Sequence, residues 1–417
     1  MLNPPPSPTM TALSRSVIFT ACSANYLGKA AAMALSALVH HPDNDIVILV
    51  ADGKRTVEIA DTRIRLLWAE DLGYPNYLHT AFKYNIIEFN TALKPFAALH
   101  LLASYERVIY LDPDVCVFAP LATVHAGLDK YAAVFTPHAL SPYDGAGRPG
   151  DRDLLRFGSS NLGFFAVRRS NAAEQMLRWW HERCRLECFY EPPLGLGVDQ
   201  KWIDLVFAFF DDMGLLKDPG LNVAFWNLHE RQLSHTDAGW RVNGITTLGF
   251  VHFSSFVDAD EQAVADKQTR HAVGSRPDFS QAGNVYREYL QRGKALVKVD
   301  DPRYSYGQFN NGATVSPALR RFYAVSETPE VRAEANPFSA QGAVYRFARK
   351  QGLVSSRPAA TTHINFKVQS SYSRQQRLIT ITFRWVLRLI GPDRYFNLMR
   401  YLSHYSSLLN QGDLLRK

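Results

Sequence analysis

The stretch Arg107-Val-Ile-Tyr-Leu-Asp-Pro-Asp-Val-Cys-Val-Phe118 joins an apolar, β-branched and aromatic run to two carboxylates separated by a proline. Val108 to Leu111 is expected as a buried strand, and Asp112 and Asp114 mark its carboxyl end. Pro113 keeps the backbone extended, and residues two apart in an extended chain point the same way. Both carboxylates can therefore face one point. Two hard oxygen donors there suit Mg²⁺ or Mn²⁺, with water and phosphate oxygens completing the coordination. The plainer reading is a polar turn closing a core strand, since Asp-Pro-Asp turns are common. The flanking sequence decides between the two.

Upstream, residues 17–21 and 45–50 read as apolar strands and 64–67 as a short third. An alanine-rich helix from about Gly28 to Leu38 lies between the first two. Alternating strands and helices are the pattern of an α/β protein with a mostly parallel sheet. Ligands of such sheets bind beyond the carboxyl ends of the strands, so the loop Cys22-Ser-Ala-Asn-Tyr26 and the Asp-Pro-Asp motif are expected to meet in one crevice. Residues 80–104 read as two helical pieces broken at Lys94-Pro95, because proline is well tolerated at the first position of a helix. That would put Lys94 at a helix N-terminus, a place suited to phosphate, against the default of a solvated lysine.

Downstream, residues 132–136 and 164–167 read as strands and 171–185 as a helix carrying Met176, Leu177, Trp179 and Trp180. Between those strands, the polar, glycine-rich residues 141–156 are expected as a mobile loop over the site. Residues 195–200 turn into a helix that Asp199 would cap. Residues 222–231 mix aromatic and polar groups as sugar pockets do, and as tightly packed loops also do. Residues 249–253 form a short strand delivering His252 among apolar neighbours, where a lone histidine is ordinarily a satisfied core residue.

A chain of 417 residues, 47% hydrophobic and 12% aromatic, can bury a sizeable core and carry an extension. It contains no apolar run of the roughly 18 residues a membrane span needs, and no basic-then-apolar signal pattern, so a cytoplasmic location is expected. Cys22, Cys116, Cys184 and Cys188 are too few for a disulfide framework and are expected as free thiols. His181, Cys184 and Cys188 raise zinc, but no fourth ligand stands at a standard spacing and helix packing is preferred. The net charge of +7 admits phosphorylated substrates, anionic lipid or nucleic acid. No nucleic-acid motif accompanies it, which leaves phosphate and lipid partners.

Residues 1–14 are proline-rich and read as a disordered tail, 15–260 as the α/β domain and 261–372 as an extension. Within the extension, 304–312 is aromatic and amide-rich, consistent with an acceptor-side surface or a packed loop. Residues 373–417 carry eight Lys or Arg against two Asp, interleaved with apolar residues from Leu378 to Ile390. Arg377, Arg384 and Arg388 could share one helix face. Such a basic amphipathic helix suits docking on an anionic membrane, which would make the protein peripheral at the inner face. Packing against the rest of the chain or a second subunit is the alternative.

Taken together, these pieces resemble a nucleotide-sugar glycosyltransferase of the GT-A fold, most of all glycosyltransferase family 8, which contains glycogenin and bacterial lipopolysaccharide galactosyltransferases. Phe19 to Tyr26 resembles the family's nucleotide loop, with Ala21, Cys22, Ser23, Asn25 and Tyr26 the implied donor contacts. Lys94 stands where the family usually has a donor-binding arginine, and Leu111-Asp-Pro-Asp114 matches its metal motif. Asn161-Leu-Gly163, Asp199-Gln200 and His252-Phe-Ser match its Asn-small-Gly entry, its Asp-Gln pair and its third metal ligand. Two departures stand out. Ser23 replaces the acidic residue that holds uracil, and Phe253-Ser-Ser-Phe256 replaces the usual Lys-Pro-Trp after the histidine.

The resemblance implies a metal bound by Asp112, Asp114 and His252 and a nucleoside-diphosphate sugar as donor. It implies transfer to a glycan, lipid-linked or protein acceptor with retained configuration, in a bacterial polysaccharide or glycoconjugate pathway. Gln200 would stabilise positive charge on the sugar, Lys94 would add charge against the diphosphate, and Asp199 and Asn161 would hold sugar hydroxyls. An inverting transferase would instead need a carboxylate base, for which Asp199 or Asp204 are candidates. A nucleotidyltransferase would open with a glycine-rich basic phosphate loop, which Cys22-Ser-Ala-Asn-Tyr26 does not supply. A non-catalytic glycan- or nucleotide-binding module on the same fold is the remaining alternative.

Overall fold

The structure, a computed structural model, describes residues 14–354 and 373–415. The proline-rich tail through residue 13 and the stretch 355–372 lie outside the described residues. The chain divides into two compact units, one made of the residues up to Tyr77 with Ile86–Ser305, the other of Leu78–Asn85 with Tyr306–Lys417.

The first unit is built on a seven-stranded sheet. From one edge to the other its strands are Met213–Leu215, Ala133–Pro137, Ser160–Arg168, Tyr105–Leu111, Ser14–Cys22, Asp45–Val50 and Ile64–Trp68. Only Ser160–Arg168 runs antiparallel to its neighbours, and every other pairing is parallel. Register explains the core. Ile18, Ile109 and Ala166 stand side by side across three strands, as do Phe19, Tyr110 and Phe165 one residue on. Alternate residues of a strand point to opposite faces, so the first row joins the aliphatic cluster with Leu27, Ala30, Met33 and Ala34 of the helix Leu27–His40. The second row is an aromatic layer, Phe19 edge-on to Tyr110 and Tyr110 stacked on Phe165, closed by Trp180 of the helix Asn171–Glu187.

The compact unit runs on to Ser305, past the boundary at 260 drawn from composition. The cause is the helix Pro277–Leu296, which packs along Leu27–His40. A Cβ on Gly293 would lie 2.4 Å from the Gly28 carbonyl oxygen, so glycine is what lets the two backbones approach. The helix predicted to break at Lys94-Pro95 is continuous from Ile86 to Leu102 with Pro95 inside it. Burial of Ala92, Leu93, Pro95, Ala97 and Ala98 outweighs the hydrogen bond that proline removes. Residues 141–156 also differ from the open loop expected of them. They lead into a helix, Asp151–Phe157, and are tied down by the Tyr143 hydroxyl donating to the Trp226 carbonyl at 2.6 Å and by Arg270 donating to the carbonyls of Asp144 and Pro149.

The second unit is helical, with Pro317–Val325, Pro329–Arg332, Ala343–Lys350, Ser373–Ile390 and Pro392–Tyr405. Its core gathers Phe82, Phe309, Tyr323 and Phe338. The buried Arg320 donates to the carbonyls of Ala81, Phe82 and Tyr84 at 2.9, 2.8 and 2.6 Å, satisfying a helix end that would otherwise be orphaned. Tyr306 and Phe309 are buried, so these two aromatic residues of 304–312 pack inward. Among the described residues no helix is long and apolar enough to cross a membrane.

Candidate metal and donor site

Three structural devices bring distant residues to the carboxyl end of Tyr105–Leu111. The Asp112 N–H donates to the Gly163 carbonyl at 2.8 Å, extending the ladder that sets Leu111 beside Phe164. Because Ser160–Arg168 is antiparallel, its first residues lie where its parallel neighbours end. Asn161 therefore arrives beside Asp112. Beyond the proline, Val115–Val117 pairs antiparallel with Phe250–His252, placing His252 opposite Val115. The Phe253 N–H closes this pair on the Asp114 carbonyl at 2.9 Å.

His252 Nε2 lies 3.0 Å from Asp114 Oδ1 and 3.6 Å from Asp112 Oδ2. One ligand atom from each of the three residues falls within 4.8 Å of the others, a span a divalent ion can bridge. Tautomer follows from the partners. Asn161 Oδ1 accepts from the Gly163 N–H at 3.0 Å and from Asn222 Nδ2 at 3.0 Å, so it is the acceptor for His252 Nδ1 at 3.2 Å. Nε2 is then the nitrogen turned to the carboxylates, the arrangement by which a second partner orients a metal-binding histidine. Burial would lower the His252 pKa, but the Asp114 and Asp112 carboxylates outweigh it and hold the value above the ordinary one. Gly163 is a packing necessity here: a Cβ would sit 2.3 Å from the His252 ring.

Lys94 anchors the other side. Its ammonium donates to the Leu162 carbonyl at 3.0 Å and ion-pairs with Asp112 Oδ1 and Asp199 Oδ2, both at 3.1 Å, over the face of Tyr110. Three protons thus face three acceptors. Burial disfavours the charge on Lys94, yet the two carboxylates outweigh it and raise its pKa. Lys94 lies within a helix and is 3% exposed, so the phosphate role expected from a helix N-terminus gives way to a clamp between two carboxylates. The Tyr110 hydroxyl donates to Asp112 Oδ1 at 2.5 Å.

Asp199 is buried and caps no helix, since the next helix begins at Ile203. Burial pushes its carboxyl up to about 6, with Lys94 pulling the other way. Gln200 is engaged at both ends of its amide: Oε1 accepts from the Leu162 N–H at 3.0 Å and from Asn161 Nδ2 at 3.3 Å, while Nε2 donates to the Phe157 carbonyl at 2.9 Å. Asp204 accepts from the Ser159 N–H and hydroxyl and pairs with Lys201 at 2.7 Å.

Where the strand Ser14–Cys22 runs into the loop that follows it, Ala21 and Cys22 are core residues and burial raises the Cys22 thiol. Ser23 is buried too, accepting from Asn90 Nδ2 at 2.7 Å and donating to the Ala51 carbonyl at 3.3 Å. Asn25 and Tyr26 are exposed, with the Lys29 ammonium 4.6 Å from the Tyr26 ring centre. Sequence reasoning passed over Asp52, fully buried, which accepts from the backbone N–H groups of Ala24, Gly53 and Ser305 and shapes this loop. It also passed over His138, a neutral imidazole pushed to about 4 by burial, whose Nε2 accepts from Asn161 Nδ2 at 3.3 Å. The stretch 222–231 contributes Asn222, which sits at φ +54° and donates to Thr136 and Asn161. It also contributes Trp226, set edge-on to His252 with ring centres 5.1 Å apart. Trp226 Nε1 is buried with no partner. Among the described residues His181, Cys184 and Cys188 form no such metal cluster, and none of the four cysteines is joined in a disulfide.

No protein-family model matches the chain. Two Bacillus subtilis (strain 168) relatives, the uncharacterized proteins YfnF and YfnD, are similar to it. YfnF is 26% identical over 221 residues, 52% of this chain and 72% of the relative. YfnD is 22% identical over 256 residues, 58% of this chain and 78% of the relative. Among solved structures, the galactosyltransferase LgtC in complex with donor and acceptor sugar analogs is similar at 17% identity and a TM-score of 0.39, over 66% of this chain and 95% of that one. The glycosyltransferase GlyE of Streptococcus pneumoniae TIGR4 is similar at 14% identity and a TM-score of 0.36, over 67% and 64%.

Proposed function

We propose that this chain is a divalent-metal-dependent glycosyltransferase of the GT-A type, moving a sugar from a nucleoside diphosphate to a hydroxyl of a glycan, lipid-linked or protein acceptor. One observation carries the reading: Asp112, Asp114 and His252, brought from two remote stretches, converge with the histidine held in a ligating tautomer by Asn161. Two carboxylates and an imidazole fit Mn²⁺ or Mg²⁺ with coordination positions left for phosphate oxygens. Bound there, the ion would supply positive charge to a diphosphate leaving group.

The chain's own groups do the rest. Asn161 and Gly163 fix His252, and Lys94 and Tyr110 fix Asp112, so the ligands need little reorganisation when the ion and donor arrive. Gln200 acts on this reading as a positioning residue for Asn161, because both lone-pair sites of its oxygen are already occupied. The nucleotide would lie over the Cys22–Tyr26 loop, where the neutral Ser23–Asn90 pair selects the base.

Retention is the stereochemistry this arrangement favours. Inversion requires a free carboxylate base beside the acceptor. Asp199 is paired with Lys94, and Asp204 with Lys201 and Ser159. The test is a panel of nucleotide sugars assayed for binding and transfer with and without Mn²⁺, in wild type and Asp114→Ala, with the anomeric configuration of the product read by NMR. Metal-dependent use of one donor, lost in the variant, supports the reading. Donor or glycan binding that ignores both metal and mutation would turn it into a non-catalytic binding module.

A further inference from the structure

The helices Ser373–Ile390 and Pro392–Tyr405 form a hairpin, joined at Gly391, whose surface inverts the usual distribution of residues. Leu378 is 66% exposed, Ile379 53%, Trp385 59%, Leu389 79%, Phe396 61% and Tyr401 59%. Exposed apolar side chains are ordinary singly, but a contiguous run of this size marks an interaction surface. The hairpin is anchored rather than loose. Phe383 and Tyr395 meet across its two arms at 6.5 Å, and the segment Leu408–Leu415 returns onto the helix Pro317–Val325.

Residue placement on the first helix is two-sided. With 3.6 residues per turn, Arg377, Arg384 and Arg388 fall within about 40° of one another, while Leu378, Trp385, Leu389, Val386, Ile379 and Phe383 spread over about 160° of the other side, with Leu387 just beyond that arc and Ile381 beside the arginines. The hairpin from Arg377 to Tyr405 carries five arginines, at 377, 384, 388, 394 and 400, against the single acid Asp393. We propose that this hairpin docks in the plane of an anionic lipid surface, its apolar face among the acyl chains and its arginines at the headgroups. Charge selects lipid over the other occupants. A second copy of the chain would bring up a hairpin of the same net positive charge, without the anionic groups that five arginines against one acid call for. Crossing a membrane is not available to these helices. The inference rests on the second unit alone and stands apart from the reading of the metal site.

The experiment is flotation of the full-length chain on a sucrose gradient with vesicles of pure phosphatidylcholine or an equal mixture of phosphatidylcholine and phosphatidylglycerol. The protein is expected to float with the mixture, to float far less with phosphatidylcholine, and to be released by high salt. Arg384→Gln/Arg388→Gln should weaken partitioning by about 25-fold, the product of about fivefold for each charge removed. Trp385→Ser/Leu389→Ser should abolish it while the melting transition and Mn²⁺-dependent nucleotide-sugar binding stay as in wild type. Equal flotation with both vesicles, or none with either, overturns the proposal. So does a stable dimer by light scattering that the Trp385→Ser/Leu389→Ser change dissociates, which would assign the surface to a second copy.

Discussion

The candidate metal site and the C-terminal hairpin invert normal burial in opposite ways. Around Asp112 charged and polar groups are buried and almost all are partnered: Lys94 reaches three acceptors and Asn161 Oδ1 takes three donors. Along the C-terminal hairpin large apolar groups such as Leu378, Trp385, Leu389 and Phe396 are exposed. Each arrangement is costly without a function to offset it, because burying charge requires compensation and exposing a Trp or Leu forgoes its transfer free energy. On the proposed reading the buried region is preorganised for a small, highly charged ligand. The exposed one suits a broad, soft surface.

That contrast can be broken most severely at the ligands themselves. Asp114→Ala should lower transfer by at least about a thousandfold and remove Mn²⁺-dependent donor binding, read by single-turnover assay and calorimetry. Lys94→Met comes next. It leaves Asp112 and Asp199 facing each other without their shared cation, and breaking a buried network of this kind costs about 3–5 kcal/mol, measured by chemical denaturation. Gly163→Ala drives a methyl into the His252 ring, so Mn²⁺ affinity should fall about 10- to 100-fold with a smaller loss of stability, about 1–3 kcal/mol.

A pH experiment sharpens the buried side further. The Asp199 carboxyl is raised in the folded protein to about 6, so the neutral form is favoured by folding. Its contribution is present below the unfolded pKa near 3.9 and lost as pH rises through 6, up to about 3 kcal/mol. Asp199→Asn should therefore gain stability relative to wild type between pH 4 and pH 7, a difference that denaturation curves at the two pH values would show. The smallest effect belongs to the exposed side: Leu389→Ser should change folding stability by no more than about 0.5 kcal/mol. A large loss there would mean the hairpin is packed core and the contrast is false.

Much of the sheet was legible because Val108–Leu111, 17–21 and 45–50 are short apolar runs ended by polar residues, and such runs have few alternatives. The separate pieces of the site were legible as motifs, yet their couplings were not. Asn161-Leu-Gly163 reads as a pattern, but the need for glycine comes from the His252 ring, which is supplied 89 residues later by a different strand. Lys94 was misplaced because Pro95 is a local helix-start signal that burial overrides. Asp199 looked like a cap because aspartate before an apolar helix usually is one, and its partner lies on a distant helix. His138 and Asp52 carried no local signal, since their roles exist only through long-range hydrogen bonds.

The central claim is that Asp112, Asp114 and His252 form a divalent-metal site serving a nucleotide-sugar donor. Its most direct test is titration of Mn²⁺ into the wild-type chain and Asp114→Ala, each with and without a panel of nucleotide sugars, by calorimetry. Saturable Mn²⁺ binding in wild type, tightened by one donor and absent in the variant, is the result expected. Equal binding by both proteins, or none by either with every donor tried, would contradict it.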